Sequence, residues 1–230
     1  MSLKEIMELA VPEGKIALTW FNDYSGVVVR TPTSTLIFDP VGIGPADVPR
    51  ADAVVITHEH HDHFERGLTE DLQRRTGAVV VTTPFVADQL RGIPTDKLRS
   101  LRVGESTTVG KTKLDACHSD HPGRQPLTFM VTTDVGMKVY HSSDSRPFPE
   151  MRELGEKYKP DVAFCTVAIA PGTSPRSGSE IAKLVGPKVA IPYHTDRGAP
   201  LQEFARILER EAPEIRARIL RRFEAYQYPE

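Results

Sequence analysis

The chain has two cysteines among 230 residues, Cys117 and Cys165. They are too few for a disulfide framework and form no C-x-x-C pair, so the fold does not depend on oxidation. An excess of charge of one sign is also missing: 29 basic residues stand against 31 acidic ones, for a formal net charge of -2. That balance excludes a generic polyanion binder. Long apolar runs are absent as well. The longest mostly apolar stretch runs from Val162 to Ala170, far short of the roughly 20 residues that cross a bilayer. Met1 to Ala10 carries Lys4, Glu5 and Glu8 among apolar residues, which fits a short amphipathic helix and not a signal-peptide core. No membrane association and a cytoplasmic location are expected. No linker or low-complexity segment divides the chain, and Pro171 to Gly178 is expected to be an ordinary loop, so residues 1–230 are read as a single domain.

What the sequence does have is histidine. There are eight, and His58, His60, His61 and His63 fall within six positions. Periodicity places that cluster. Short β-like runs are expected at Lys15–Trp20, Gly26–Arg30 and Thr35–Asp39, most simply as a meander, and a buried strand over Ala51–Thr57 leads straight into the histidines. Helical spacing follows over Leu68–Thr76, then a strand at Ala78–Thr82, a helix at Pro84–Leu90, and strands near Leu98–Val103 and Thr112–Cys117. Asp134-Val135-Gly136 is a hairpin turn between Leu127–Thr133 and Met137–His141. Helices at Glu150–Tyr158, Gly178–Leu184 and Leu201–Glu211 then alternate with strands at Asp161–Ala168, Lys188–Pro192 and a terminal one around Arg218–Phe223. Strands ahead of β-α alternation in each half fit a sheet-on-sheet core flanked by helices.

Residues Thr57 to Phe64 read T-H-E-H-H-D-H-F. In an extended segment, positions i and i+2 point the same way, so His58 and His60 can grip one ion while the following turn swings Asp62 and His63 toward a second. Imidazoles and a carboxylate suit zinc, manganese or iron.

With this H-x-H-x-D-H pattern the chain resembles the metallo-β-lactamase superfamily of metal-dependent hydrolases, in layout most like its ascorbate-phosphate lactonase branch. The likeness rests also on Leu36-Ile37-Phe38-Asp39-Pro40, Ala116-Cys117-His118-Ser119, Tyr140-His141-Ser142-Ser143-Asp144-Ser145 and Ile191-Pro192-Tyr193-His194-Thr195. It implies an α/β fold, a four-layer αββα sandwich of two mixed β-sheets flanked by helices. It also implies two divalent metal ions, zinc foremost, with manganese and iron as alternatives. His58, His60 and His118 would hold one ion, Asp62, His63 and His194 the other, with Asp144 touching both. Asp39 would orient the histidine loop without binding metal. A hydroxide formed between the ions would be the nucleophile, and either a metal-bound water or Asp62 would deliver the proton to the leaving group; Asp62 and Asp144 are the catalytic carboxylates.

Three places depart from the family's usual text. Trp20-Phe21 is followed by Asn22-Asp23-Tyr24-Ser25 where a Gly-His pair is common. Ser143 replaces a glycine, and its hydroxyl either hydrogen-bonds a ligand or fills space, with filling space the favoured reading. His121 competes with His118, which strand-end placement and the following serine favour. His61 is expected to be exposed or to support the ligand histidines from behind, His141 to be a packed strand residue, and both cysteines to act as small apolar groups.

The loops around the metals carry Arg124, Arg146, Arg176 and Arg197, whose guanidinium groups suit a small anionic substrate. The leading expectation is a hydrolase of a small ester, lactone or phosphoester, with a homo-oligomer left open. A nuclease or phosphodiesterase using Arg216, Arg218, Arg221 and Arg222 against RNA is the alternative, though nucleic acid is disfavoured by the short chain. A non-catalytic metal-binding relative is the third reading.

Overall fold

A computed structural model describes residues 1–230. It begins with helix α1 (Leu3–Glu8), capped by the Ser2 hydroxyl and by Glu5 reaching back to the Ser2 amide, the reciprocal arrangement that satisfies two free helix donors. Strands β1 (Ile16–Trp20), β2 (Val27–Arg30) and β3 (Thr35–Phe38) form the expected antiparallel meander. Strands β4 (Ala53–Val55), β5 (Val79–Thr82) and β6 (Leu98–Ser100) then add in parallel to β3. Helix α2 (Arg66–Thr76) connects β4 to β5, and α3 (Pro84–Ala87) lies between β5 and β6. The second half repeats the plan. Strands β7 (Ser106–Val109), β8 (Thr112–His118), β9 (Leu127–Thr132) and β10 (Lys138–His141) run antiparallel, followed by parallel β11 (Val162–Thr166), β12 (Val189–Tyr193) and β13 (Arg216–Ala217). Helices α4 (Met151–Tyr158), α5 (Pro175–Val185) and α6 (Gly198–Glu211) make the crossovers.

The result is two seven-stranded mixed sheets, ordered β14-β1-β2-β3-β4-β5-β6 and β13-β12-β11-β10-β9-β8-β7, with β14 at Tyr226–Tyr228. Their facing surfaces bury a central apolar layer that includes Trp20, Phe38, Phe129 and Phe164. Separate clusters lie beneath α4, α5 and α6 and beneath α1, α2 and α3. This is the four-layer αββα sandwich expected from the sequence. Central strands are buried on both faces, so β1, β2, β3, β4, β11 and β12 have no exposed position, because one face of each sheet meets the other sheet and the outer face is covered by helices.

The terminal strand expected around Arg218–Phe223 is absent. Here the chain must leave the second sheet and join the first, which a continuous strand cannot do. Arg216–Ala217 pairs with β12, Leu220 turns into the central layer, Phe223 adopts φ 59°, and only Tyr226–Tyr228 returns to pair with β1. The Pro171–Gly178 loop ends early: Ser174 caps α5 with its hydroxyl, and Pro175 opens the helix, the first-turn position where a missing N–H costs nothing.

Candidate metal centre

The carboxyl ends of β3, β4, β10 and β12 and the β8–β9 loop meet at one edge of the sandwich. Beyond β4 the chain stays extended to Thr57, whose amide donates to Asp39 Oδ1 at 2.8 Å and whose hydroxyl donates to Asp39 Oδ2 at 2.8 Å. His58 leaves this anchor, and a turn closed by the amides of His63 and Phe64 on the His60 carbonyl reverses the chain.

Two groups of potential ligands result. His58, His60 and His121 form one, and Asp62, His63, Asp144 and His194 the other, with the ligand atoms of each within 4.8 Å of one another. His58 Nε2 and His121 Nε2 both lie 3.1 Å from His60 Nδ1. Nitrogens bound at about 2.0–2.1 Å to one tetrahedral ion are about 3.3 Å apart, close to this spacing. In the second group, His63 Nε2 and His194 Nε2 lie 3.1 and 2.7 Å from Asp144 Oδ1, and Asp62 Oδ2 lies 3.7 Å from His63 Nε2. Asp144 Oδ2 faces the other group, 3.8 Å from His121 Nε2. One carboxylate thus presents an oxygen to each cluster.

The outward nitrogens decide which tautomers are present. His63 Nδ1 donates to Asp39 Oδ2 at 2.8 Å, His194 Nδ1 to the Ala168 carbonyl at 3.1 Å, and His58 Nδ1 to the Thr57 hydroxyl at 3.0 Å. In each ring Nε2 is left with its lone pair aimed inward. His63 Nε2 and His194 Nε2 are buried without a hydrogen-bond partner despite their closeness to Asp144. Leaving such atoms unsatisfied costs about 1–3 kcal/mol each, and a divalent ion would remove that cost. Neutral nitrogen donors with carboxylates suit borderline metals, so the residues present fit two such ions.

Electrostatics agree with that fit. Burial holds His58 well below, and His121 below, the usual imidazole range, so both stay neutral donors. Burial would push Asp144 up, but the neighbouring His63 and His194 hold it well below the ordinary carboxylate range. Burial would likewise lower His63, yet Asp144 and Asp39 raise it well above its usual value, so the two carboxylates favour positive charge at Nε2, which a divalent cation there would supply in place of a proton.

The backbone is bent to make these positions. Asp39, Ser143 and His194 have φ of 45°, 47° and 72°, a left-handed conformation that costs a residue with a side chain about 1–3 kcal/mol. Each ends a strand or sits just beyond one, so the bend converts a strand direction into a ligand direction. The Ser143 hydroxyl donates to Thr57 Oγ1 at 2.8 Å, and the Ser143 carbonyl accepts from Tyr193 Oη at 3.1 Å and from Thr166 Oγ1. Ser143 is therefore a link between the Asp144 loop and the Thr57 anchor, which corrects its reading as a space filler.

The structure also corrects the third histidine. His118 is the last residue of β8, remains in register with Leu127, and turns an exposed ring edge-on to Phe148 at 4.8 Å between centroids. Only after the chain turns past Ser119 does a histidine enter the cluster, and that residue is His121, 8% exposed. His61 is exposed, and His141 is fully packed, stacked on Phe38 at 4.6 Å. The arginines divide. Arg124 lies over the Phe85 ring while its amide donates to Glu59 Oε1, and Arg146 pairs with Asp120 at 2.7 Å; Glu59 and Asp120 are sequence neighbours of the first cluster's histidines, but neither guanidinium touches a ligand atom. Arg176 does not face the two ligand groups: its side chain runs to Glu211 at the end of α6. The side chain of Arg197 is exposed and makes no polar contact within the protein.

No helix is long and apolar enough to cross a membrane. In sequence the chain is similar to a UPF0173 metal-dependent hydrolase of Rubrobacter xylanophilus, 29% identical over 62% of this chain and 63% of that protein, so the alignment spans less than two thirds of that relative. A UPF0173 metal-dependent hydrolase of Thermodesulfovibrio yellowstonii is 27% identical over 90% of both chains. In structure it resembles Igni18, a metallo hydrolase of Ignicoccus hospitalis, with a TM-score of 0.80, 24% identity, and coverage of 94% of this chain and 99% of that one. The same fold occurs in CmlA, a diiron β-hydroxylase of Streptomyces venezuelae, with a TM-score of 0.71, 16% identity, and coverage of 94% and 54%. Residues 19–195 match the beta-lactamase superfamily domain model, and the chain belongs to that superfamily.

Proposed function

We propose that the protein is a metal-dependent hydrolase with a dinuclear centre, acting on a small anionic ester, lactone or phosphoester. The observation that carries this reading is Asp144, buried between two ligand groups with one oxygen toward each. His58, His60 and His121 would hold one ion, and Asp62, His63 and His194 the other. Zinc suits this donor set best, and manganese or iron would also fit. Bound there, a pair of divalent ions supplies a water acidified to near neutrality and polarises the bond under attack.

The chain's own residues do the rest. Asp39, Thr57 and the Ala168 carbonyl hold the imidazoles in the tautomers that leave Nε2 free. Asp62, partly exposed, or a metal-bound water would carry a proton toward a leaving group. Arg124, stacked on Phe85 and paired with no carboxylate, would supply positive charge for an anionic substrate.

The nuclease alternative is less well supported, because three of the four arginines of the basic C-terminal run, all but Arg221, are paired within the fold. Arg216 pairs with Glu230, Arg218 with Glu224 at 2.9 Å, and Arg222 with Asp23 at 2.7 Å. The deciding experiment loads the protein with zinc, manganese or iron, counts ions per chain, and assays lactones, phosphodiesters, phosphomonoesters and single-stranded RNA. Two ions and metal-dependent hydrolysis of a small substrate are expected. Failure to retain any ion on reconstitution would overturn the reading.

A further inference from the structure

The β1–β2 loop, Phe21 to Gly26, is pinned from every side. Asn22 Oδ1 accepts the amides of Tyr24 at 3.0 Å and Gly26 at 2.8 Å, while its Nδ2 donates to the carbonyls of Asp39 and Val41 at 3.4 and 3.3 Å. Trp20 Nε1 donates to the Tyr24 carbonyl at 2.8 Å. Gly26 sits so close to this knot that a Cβ there would lie 2.4 Å from Asn22 Nδ2. His141 Nε2 donates to the Ser25 carbonyl at 2.9 Å, and the Ser25 hydroxyl donates to Asp144 Oδ1 at 3.3 Å. Arg222 holds Asp23 from outside.

In a loop so fixed, one side chain keeps an uncommitted end. Tyr24 is partly exposed, and its ring stands edge-on to His194 with centroids 5.8 Å apart. Its backbone N–H and C=O are both used, but its hydroxyl makes no hydrogen bond within the protein. Packing on His194 would be served equally by phenylalanine. A phenol on a rigid loop beside a ligand histidine is a donor held in place before substrate arrives, the arrangement in which a single hydrogen bond counts most.

We infer that Tyr24 is a substrate-binding residue, whose hydroxyl donates a hydrogen bond to an oxyanion of the molecule bound at the metal centre, on its His194 side. This rests on the dinuclear reading above and adds to it a specific requirement: the substrate, or its product, carries a phosphoryl or carboxylate oxygen there.

Inorganic phosphate is the probe. Zinc-loaded wild type and Tyr24→Phe are compared by calorimetry for phosphate affinity, with zinc per chain and melting temperature measured on the same samples. A hydrogen bond to a charged group corresponds to roughly tenfold or more in affinity. The expected result is that loss in Tyr24→Phe, with zinc content and melting temperature unchanged, and a matching fall in kcat/KM for any phosphoester the wild type hydrolyses. Equal phosphate affinity in the two proteins would overturn the role of Tyr24, as would a zinc-loaded wild type that binds no phosphate. A wild type that holds no zinc would instead overturn the dinuclear reading, so the two failures are distinguishable.

Discussion

His63 and Asp39 are joined through the ring nitrogen that faces away from the ligand cluster: Nδ1 lies 2.8 Å from Oδ2, and both side chains are wholly buried. The carboxylate fixes the tautomer with Nε2 free and makes that nitrogen a stronger donor. Asp39→Asn keeps the shape and loses the charge. It is expected to weaken metal affinity about 10–100-fold, read by competition with a chromogenic chelator. Wild-type affinity in this variant would separate Asp39 from the metal centre.

His121 and His118 make opposite predictions from neighbouring positions. His121→Ala removes a nitrogen that lies 3.1 Å from His60 Nδ1, and it is expected to lose the ion of the first cluster while keeping the other. His118→Ala removes a ring packed on Phe148 and is expected to leave metal content intact. Elemental analysis of the two purified variants settles the matter, and metal loss in His118→Ala alone would reverse the assignment.

Asp144→Asn tests the link between the clusters. Its carboxylate is the one group facing both, so the amide is expected to release at least one ion of the pair and to abolish turnover. A variant retaining both ions and full activity would show that no bridging carboxylate is needed.

The thiols offer a test independent of metal. Burial pushes the Cys117 thiol up to about 11 and raises Cys165 further still, so near neutral pH both remain protonated and unreactive. Because the shift is upward, labelling of Cys117 by an alkylating reagent should accelerate as pH rises toward 11. In native protein at pH 8, both cysteines are expected to resist labelling, and both to react once guanidinium unfolds the chain. Rapid native labelling of Cys165 would contradict its place in the apolar layer under the helices.

Much of this architecture is legible in the sequence because its signals are local. The T-H-E-H-H-D-H-F segment carries four ligand positions in one stretch behind a buried strand. Asp144 and His194 likewise follow apolar strands that end abruptly. The choice between His118 and His121 goes the wrong way in the sequence for a physical reason: strand pattern locates the end of β8 but not the path of the loop beyond it, and only the turn through Ser119 brings the later histidine inward. The following Pro122-Gly123, a turn pair, was the available signal that the chain reverses there. Edge strands are hard to read for a related reason. Ser106–Val109 has a single buried position, and β14 pairs only with β1, so neither carries a strong apolar alternation. The role of Ser143 depended on Thr57, distant in sequence and adjacent only in space.

Each ligand group draws on both sheets: His58, His60, Asp62 and His63 follow the first, while His121, Asp144 and His194 come from the second. The ions would then act as a clasp across the sandwich, and occupancy would report whether its two halves have docked. A chain stalled before residue 121 during synthesis would own half a set of ligands and no complete group. Metal capture would be a late event, opened by the arrival of His121 and completed by that of His194, and its loss would be the first sign that the halves had parted.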